Sequence, residues 1–192
     1  MKKIYLLSFR GTGFADPQHS AEPALIRAGH VGIAFEDDPP LILGFHPTEA
    51  EIARVGGEEA AIEWLKENEP LDGALQADYA IFARAYVLSQ TGARTEVWQM
   101  VLEVPDEEYA RIRAVATRWY TEGTVFTYAF PLRGQLPAAD RDNCATFPRR
   151  LGLPIPEPSG QLTKYIAELE KAAERWGPRE EQSDDADTDS PG

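Results

Sequence analysis

The stretch GHVGIAFEDDPPLILGFHP, residues 29–47, predicts two strands joined by a short acidic loop that contains two prolines. Side chains alternate between faces along a strand, and each of these strands alternates large apolar residues with small residues and one histidine. The apolar faces carry Val31, Ile33 and Phe35 in the first strand, and Leu41, Leu43 and Phe45 in the second. The other faces carry His30 and His46. The pattern therefore predicts an antiparallel hairpin with a core face and a histidine face.

The register of this hairpin places the two histidines opposite each other. If the turn is centred on Asp38, residues whose numbers sum to 76 are paired, and His30 faces His46. Directly opposed Cβ atoms lie roughly 4.5 to 5.5 Å apart, which is close enough for one imidazole to orient the other. The small residues on the same face leave open space beside the histidines. We expect the segment around Cys144 to fill it.

Cys144 is the only cysteine of the chain. The preceding Asp142 and Asn143 are residue types that cap helices, and Pro148 suits a first helical turn. The sequence therefore predicts that Cys144 lies at the N-terminus of a short helix. A helix N-terminus and a nearby imidazolium each lower the pKa of a thiol, so the sequence predicts a reactive nucleophile.

These motifs resemble a known superfamily. GHVGIAF followed by LILGFHP resembles the histidine hairpin of NlpC-like cysteine peptidases, and NCATF resembles their nucleophile helix. The cysteine here follows the histidines, an order that resembles the circularly permuted branch of the papain-like superfamily. That branch includes lecithin:retinol acyltransferase-like proteins and the PPPDE group, whose nucleophile motif begins with Asn-Cys.

The resemblance implies an α+β fold of the circularly permuted papain-like (NlpC-like) type, with an antiparallel sheet packed against helices. It implies Cys144 as nucleophile, His30 as general base and His46 as the residue that orients it. Tyr128 and Asn143 are implied as contacts of the oxyanion or the substrate. Glu36 and Asp142 are alternatives to His46 as the third member of the catalytic triad, the residue that orients the base. These are the expectations that the structure has to meet.

The expected activity is the hydrolysis of an amide or thioester through an acyl-enzyme. Acyl transfer to or from a lipid is the alternative within enzymes, and a catalytically silent binding module is the alternative outside them. The expected partners are a peptide, a peptidoglycan fragment, an acyl-lipid or a protein-tag substrate. No cofactor is expected. A zinc site made of His30, His46 and Cys144 contains suitable ligand types but lacks a metal-ligand spacing.

Charge and composition limit the other classes. The chain has 192 residues and a net charge of −13, and the acidic segment 178–192 contributes 5 of those negative charges. An acidic chain without a basic stripe disfavours nucleic acid as a partner. No segment has the roughly 20 apolar residues of a membrane span. A single cysteine and no export signal favour the cytoplasm, although delivery by a dedicated secretion system would need no such signal.

The remaining segments predict one domain over residues 1–177 and a disordered acidic tail over 178–192. Hydrophobic runs predict further strands at 3–8, 98–104 and 124–130, and helical periodicity predicts helices at 58–66, from 106 onward and from 162 to near Gly177. Residues 79–88 fit either a helix or a strand. The segment 48–97 matches no motif.

Overall fold

The computed structural model describes residues 1–37, 40–130, 140–157 and 162–178. The predicted turn centre at Asp38 lies outside the described residues, and so does the predicted disordered tail apart from Pro178.

A mixed sheet forms the centre of the protein. Its strands are β1 (Lys2–Arg10), β2 (Gly29–Phe35), β3 (Ile42–Pro47), β4 (Leu71–Ala77), β5 (Val97–Val104), β6 (Phe126–Tyr128), β7 (Arg141–Asp142) and β8 (Glu174–Arg175). Across the described residues, the strand order is β7-β6-β4-β3-β2-β1-β5-β8. The β6–β7 pair is parallel and the other pairs are antiparallel. The hairpin β2–β3 thus lies in the middle of the sheet.

Helices cover both faces of this sheet. They are α1 (Ala24–Ala28), α2 (Glu49–Val55), α3 (Glu58–Lys66), α4 (Tyr79–Gln90), α5 (Asp106–Thr121), α6 (Phe147–Arg150) and α7 (Leu162–Glu170), with a short 3-10 helix at Pro17–His19. The larger apolar core lies between one face of the sheet and α5, α6 and α7. A smaller core lies between the other face and α1 and α4. The two faces of β2 therefore contact different helices.

The predicted register of the central hairpin is confirmed. Gly32 pairs with Gly44, and Ala34 pairs with Ile42, so the paired residue numbers sum to 76. The side chains of Ile33 and Leu43 belong to the larger core, as their alternation predicts. Period-two patterning was sufficient here because a shift of one residue would expose this apolar set.

The other element predictions differ mainly at their ends. The helix at 58–66 is confirmed, and the ambiguous segment 79–88 is the helix α4. The last helix ends at Glu170, well before Gly177, because Glu174 and Arg175 instead pair with Gln99 and Trp98 on β5. The predicted strand at 124–130 is shorter, with only Phe126–Tyr128 in the sheet.

The fold class is α+β, as predicted, with a mixed rather than a purely antiparallel sheet. No helix in the described residues has the length and apolar character that crossing a membrane requires.

Candidate functional site

His30 and His46 lie close together, and a carboxylate bridges them. Their ring centroids are 4.6 Å apart. His30 Nε2 is 2.6 Å from Oδ2 of Asp78, and His46 Nε2 is 2.5 Å from Oδ1 of the same carboxylate. We call these three residues the His-Asp-His cluster. The orienting partner of each histidine in this cluster is therefore Asp78.

Two glycines make room for this cluster. A Cβ atom at Gly44 would lie 1.6 Å from Asp78 Oδ2, and a Cβ at Gly32 would lie 2.7 Å from the Phe82 ring. Asp78 ends the connection between β4 and α4, and Phe82 follows one turn later. The expectation that the Cys144 segment fills the space beside the histidines is wrong. The start of α4 fills it, because the glycines allow a carboxylate and an aromatic ring to approach the sheet.

Sequence reasoning missed Asp78. The two carboxylates that the sequence offered as orienting residues bond to other groups. Glu36 accepts a hydrogen bond from the backbone N–H of Lys3, and Asp142 accepts a hydrogen bond from the Thr146 hydroxyl and pairs with Arg150. A signal was available, since an aspartate directly before an apolar helical segment is a typical N-cap residue. Its side chain makes no capping hydrogen bond, which leaves both oxygens for the histidines.

The charges of the cluster follow from burial and hydrogen bonding. Burial raises the pKa of the Asp78 carboxyl, but the two histidines outweigh it and hold that pKa well below its usual value. Burial is the largest influence on His30 and lowers the pKa of its imidazole, against the attraction of Asp78. At neutral pH the cluster is therefore an ionised carboxylate beside a neutral His30.

The hydrogen bonds also assign the tautomer of His30. An ionised carboxylate can only accept, so the proton of neutral His30 lies on Nε2 and is donated to Asp78. Its Nδ1 then carries a lone pair. This Nδ1 is buried, as is the whole of His30, and it has no hydrogen-bond partner among the described residues. A buried basic nitrogen without a partner is costly, which marks it as a candidate for proton transfer.

Cys144 approaches the histidines from the other face of the sheet. Phe147, three residues later, stacks on Phe45 of β3 with ring centroids 4.2 Å apart, which fixes the turn against the larger core. The described ladder between β2 and β3 ends at Gly32 and Gly44. One residue beyond it, the N–H of Val31 hydrogen-bonds to the Cys144 sulfur. The sulfur thus lies at the N-terminal end of β2, next to the peptide that follows His30.

The thiol is not activated in the way that the sequence predicts. Cys144 is only 4% exposed, and burial raises the pKa of its thiol to about 11, against hydrogen bonds from Val31, Tyr128 and Ala145. The negative charge of Asp78 also raises it. The expected lowering by a helix N-terminus fails because α6 is a single turn that begins at Phe147. At neutral pH the sulfur is therefore protonated.

The backbone N–H groups after the cysteine are already bonded. The side-chain oxygen of Asn143 accepts from Ala145 N at 2.9 Å and Thr146 N at 3.1 Å, and its carbonyl accepts from Phe147 N at 3.0 Å. Asn143 therefore shapes the turn, and these N–H groups are not free to hold an oxyanion. Tyr128 hydrogen-bonds to Cys144, and burial raises the pKa of its hydroxyl, so it is a neutral donor beside the sulfur.

Cys144 shares a cavity of about 900 Å³ with two residues of the cluster, His46 and Asp78. Its lining includes Cys144, His46, Asp78, Tyr128 and Asn143, together with apolar residues of α1, α2, α3 and α7. Four of the five candidate residues, all but His30, thus line one cavity, and Asp78 lines it as well. A cavity of this size suits a small molecule or the end of a chain.

The cluster is also the candidate metal centre among the described residues. Ligand atoms of His30, His46 and Asp78 lie within 4.8 Å of one another, so the set differs from the predicted zinc alternative by having Asp78 in place of Cys144. Ligands about 2.0 to 2.2 Å from one tetrahedral zinc ion would be roughly 3.3 Å apart. The nitrogen-to-oxygen distances of 2.5 and 2.6 Å are those of direct hydrogen bonds.

The chain matches no known protein family, no curated protein and no solved structure. Its function has to be argued from the chemistry of this site.

Proposed function

We propose that the protein is a cysteine-dependent hydrolase of an amide or thioester, in which Cys144 is the nucleophile, His30 the general base and Asp78 the residue that orients the base. We also propose that its fold belongs to the circularly permuted papain-like type, with the histidines before the cysteine in the chain. A single thiol suits a reducing cytoplasm, where it stays unoxidised.

One observation carries this proposal: His30 donates Nε2–H to Asp78, and its other ring nitrogen is buried without a partner. That is the arrangement of a general base, in which a carboxylate fixes the tautomer and leaves a lone pair for the nucleophile. The Cys144 sulfur is the nucleophile at hand, because the N–H of Val31, the next residue, hydrogen-bonds to it. Among the described residues, His30 Nδ1 makes no hydrogen bond to the sulfur, and in apo structures a nucleophile–base hydrogen bond often forms only in the reacting complex.

The thiol pKa of about 11 decides how the reaction begins. At pH 7 only about one molecule in ten thousand carries a thiolate. Cys144 therefore loses its proton to His30 Nδ1 as the sulfur attacks the acyl carbonyl. The carbonyl π electrons move to oxygen, and the Tyr128 hydroxyl is the donor placed to stabilise that oxyanion.

Three further proton transfers complete the reaction. When the intermediate collapses, the bond to the leaving amine or thiol breaks, and the His30 imidazolium returns its proton to that group. A water molecule gives a proton to the neutral His30 and attacks the thioester of the acyl-enzyme. When this second intermediate collapses, the bond between the acyl carbon and sulfur breaks, and the His30 imidazolium gives its proton to the Cys144 sulfur. The products are the free acid and the regenerated thiol, with His30 neutral again. His46 acts through Asp78 as a positioning residue.

The test is the formation of an acyl-enzyme with p-nitrophenyl hexanoate, followed by intact mass. We expect one hexanoyl adduct in the parent protein and none in Cys144→Ala. His30→Gln keeps an amide that can donate to Asp78 but removes the base, so acylation should slow by about 10²- to 10⁴-fold. Circular dichroism checks that both variants fold. A parent that acquires no adduct, or an adduct that persists in Cys144→Ala, contradicts the proposal.

A catalytically silent binding module is the second candidate, and the high thiol pKa favours it. Such a module would use the same cavity and would bind hexanoate without ever becoming acylated. The intact mass of the parent protein separates the two functions, because the hydrolase acquires a hexanoyl adduct and the binding module does not.

A further inference from the structure

Arg27 occupies an unusual position in the wall of the cavity. It lies in the last turn of α1, and its side chain is only 10% exposed. One guanidinium nitrogen pairs with Glu59, and another donates to the Phe14 carbonyl at 3.2 Å. The Nε–H is buried and has no hydrogen-bond partner within the described part of the chain. A charged group that is nine-tenths buried therefore lines a ligand-sized cavity while one of its donors is buried and unpaired.

Its present partner is easily displaced. The Glu59 side chain is 71% exposed, and an ion pair to such a carboxylate contributes little because water competes for it. The Phe14 contacts are firmer, since the guanidinium carbon lies 4.8 Å from the centre of the Phe14 ring. A carboxylate or phosphate can accept two parallel hydrogen bonds from one guanidinium, which would satisfy the unused donor.

Cations and carboxylates both lie around Arg27 in the cavity wall. Among the described residues of the lining, the second cation is Lys66, whose Nζ is 5.7 Å from the Phe14 ring centre. The acids Glu49 and Glu58 also line the cavity, and Glu58 accepts a hydrogen bond from the N–H of Ala24 at 2.7 Å. Lys66 Nζ pairs with Glu63 at 2.6 Å, as Arg27 pairs with Glu59, and both carboxylates are mostly exposed. A ligand anion at Phe14 would therefore exchange with these exposed carboxylates.

We propose that Arg27 binds an anionic group, a carboxylate or a phosphate, carried by the acyl substrate. This inference rests on the proposed hydrolase for the reaction, but the binding site can be tested without it. Arg27 lies four residues before Val31, so at most about 14 Å separates their Cα atoms. The substrate would lie along the cavity with its acyl carbonyl at Cys144 and its anionic group at Arg27.

The first test measures binding to the full chain carrying Cys144→Ala, so that acylation plays no part. Adipate and hexanoate have six carbons each, but only adipate has a second carboxylate. By isothermal titration we expect adipate to bind about tenfold more tightly than hexanoate, and Arg27→Gln to abolish the difference. Arg84→Gln is the matched control, since Arg84 pairs with Glu22 away from the lining. Equal binding of the two acids before Arg27 is changed would overturn the inference.

A second variant guards against misfolding of Arg27→Gln. Glu59→Gln changes an exposed side chain and releases the guanidinium, so adipate should bind severalfold more tightly while hexanoate is unaffected. Unchanged or weaker adipate binding would overturn the inference. Inorganic phosphate that displaces adipate would show that the site takes both anions, and phosphate that does not would restrict it to carboxylates. Because the binding experiments use Cys144→Ala, the binding site can fail its test while the parent protein is acylated. Equally, the anion can bind as expected while acylation of the parent fails.

Discussion

At the scale of single residues, Asp78 is the side chain on which the site depends. It is 1% exposed, and each of its oxygens accepts a hydrogen bond from a histidine. Both bonds involve a charged acceptor in a buried place, where such bonds are worth most. The two imidazole orientations and the His30 tautomer are therefore fixed by one carboxylate.

We expect Asp78→Asn to impair both stability and reaction. Its amide can accept from one histidine, but the NH₂ group then faces the Nε2–H of the other, so one imidazole has to change tautomer or move. The free energy of unfolding should fall by about 3 kcal/mol, and acylation by p-nitrophenyl hexanoate should slow by about 10²- to 10⁴-fold. Urea unfolding and stopped-flow absorbance measure these two effects. Asp72→Asn, at an exposed position on β4, is the control. Acylation at the parental rate would remove Asp78 from the mechanism.

At the scale of elements, the hairpin β2–β3 could be predicted and its partners could not. Alternation of large and small residues determined the strands, their faces and their register, because each face has a different environment. The approach of α4 was not visible in that pattern. Asp78 is 48 residues from His30 along the chain, and only tertiary packing brings it to Gly44.

Tertiary packing also determines the burial and the pKa of the Cys144 thiol. The sequence predicts that the residues before Cys144 cap a turn, and Asn143 does so by accepting a hydrogen bond from the N–H of Ala145. The length of α6 and the burial of the sulfur depend on how Phe147 packs on Phe45, which local sequence does not encode. The predicted low pKa of the thiol was therefore wrong, and Cys144, His46 and Tyr128 line one cavity.

The contact between β3 and α4 predicts a strong effect of Gly44→Ala. The added methyl group would overlap Asp78 Oδ2, and the backbone on both sides is held in place by the sheet and the helix. We expect the free energy of unfolding to fall by about 3 kcal/mol. Gly177→Ala is a matched control, because its nearest neighbour is the edge of the Tyr86 ring at 3.1 Å. If thermal unfolding showed similar small losses for both variants, the position of Asp78 would be different from that described here.

At the scale of the whole molecule, burial of the cluster predicts that acid destabilises the protein. The His30 pKa is lower in the folded protein than the roughly 6.5 of an unfolded chain, so the unfolded state binds more protons below that pH. The contribution of His30 to stability is complete above about pH 6.5 and is lost as the pH falls toward the folded pKa. Asp78, whose pKa is also lowered, adds a similar loss at still lower pH, below about 3.9.

Urea unfolding between pH 7.5 and pH 5 measures the effect. The parent should lose up to about 1.4 kcal/mol per pH unit through His30 below pH 6.5. His30→Gln cannot take up this proton and should show a correspondingly shallower slope. Parallel curves for the two proteins would mean that His30 is not buried as a neutral imidazole.

The pH dependence of acylation by p-nitrophenyl hexanoate tests the central claim most directly, because the two ways of activating Cys144 differ in shape. With His30 as general base, the rate rises with a midpoint below about pH 6.5, where the imidazole loses its proton, and is then level from pH 7 to pH 9. A thiol without a base has to ionise first, so its rate would keep rising about tenfold per pH unit toward the thiol pKa of about 11. We predict the level profile in the parent protein and the rising profile in His30→Gln. A rising profile in the parent would contradict the assignment of His30 as the base of Cys144.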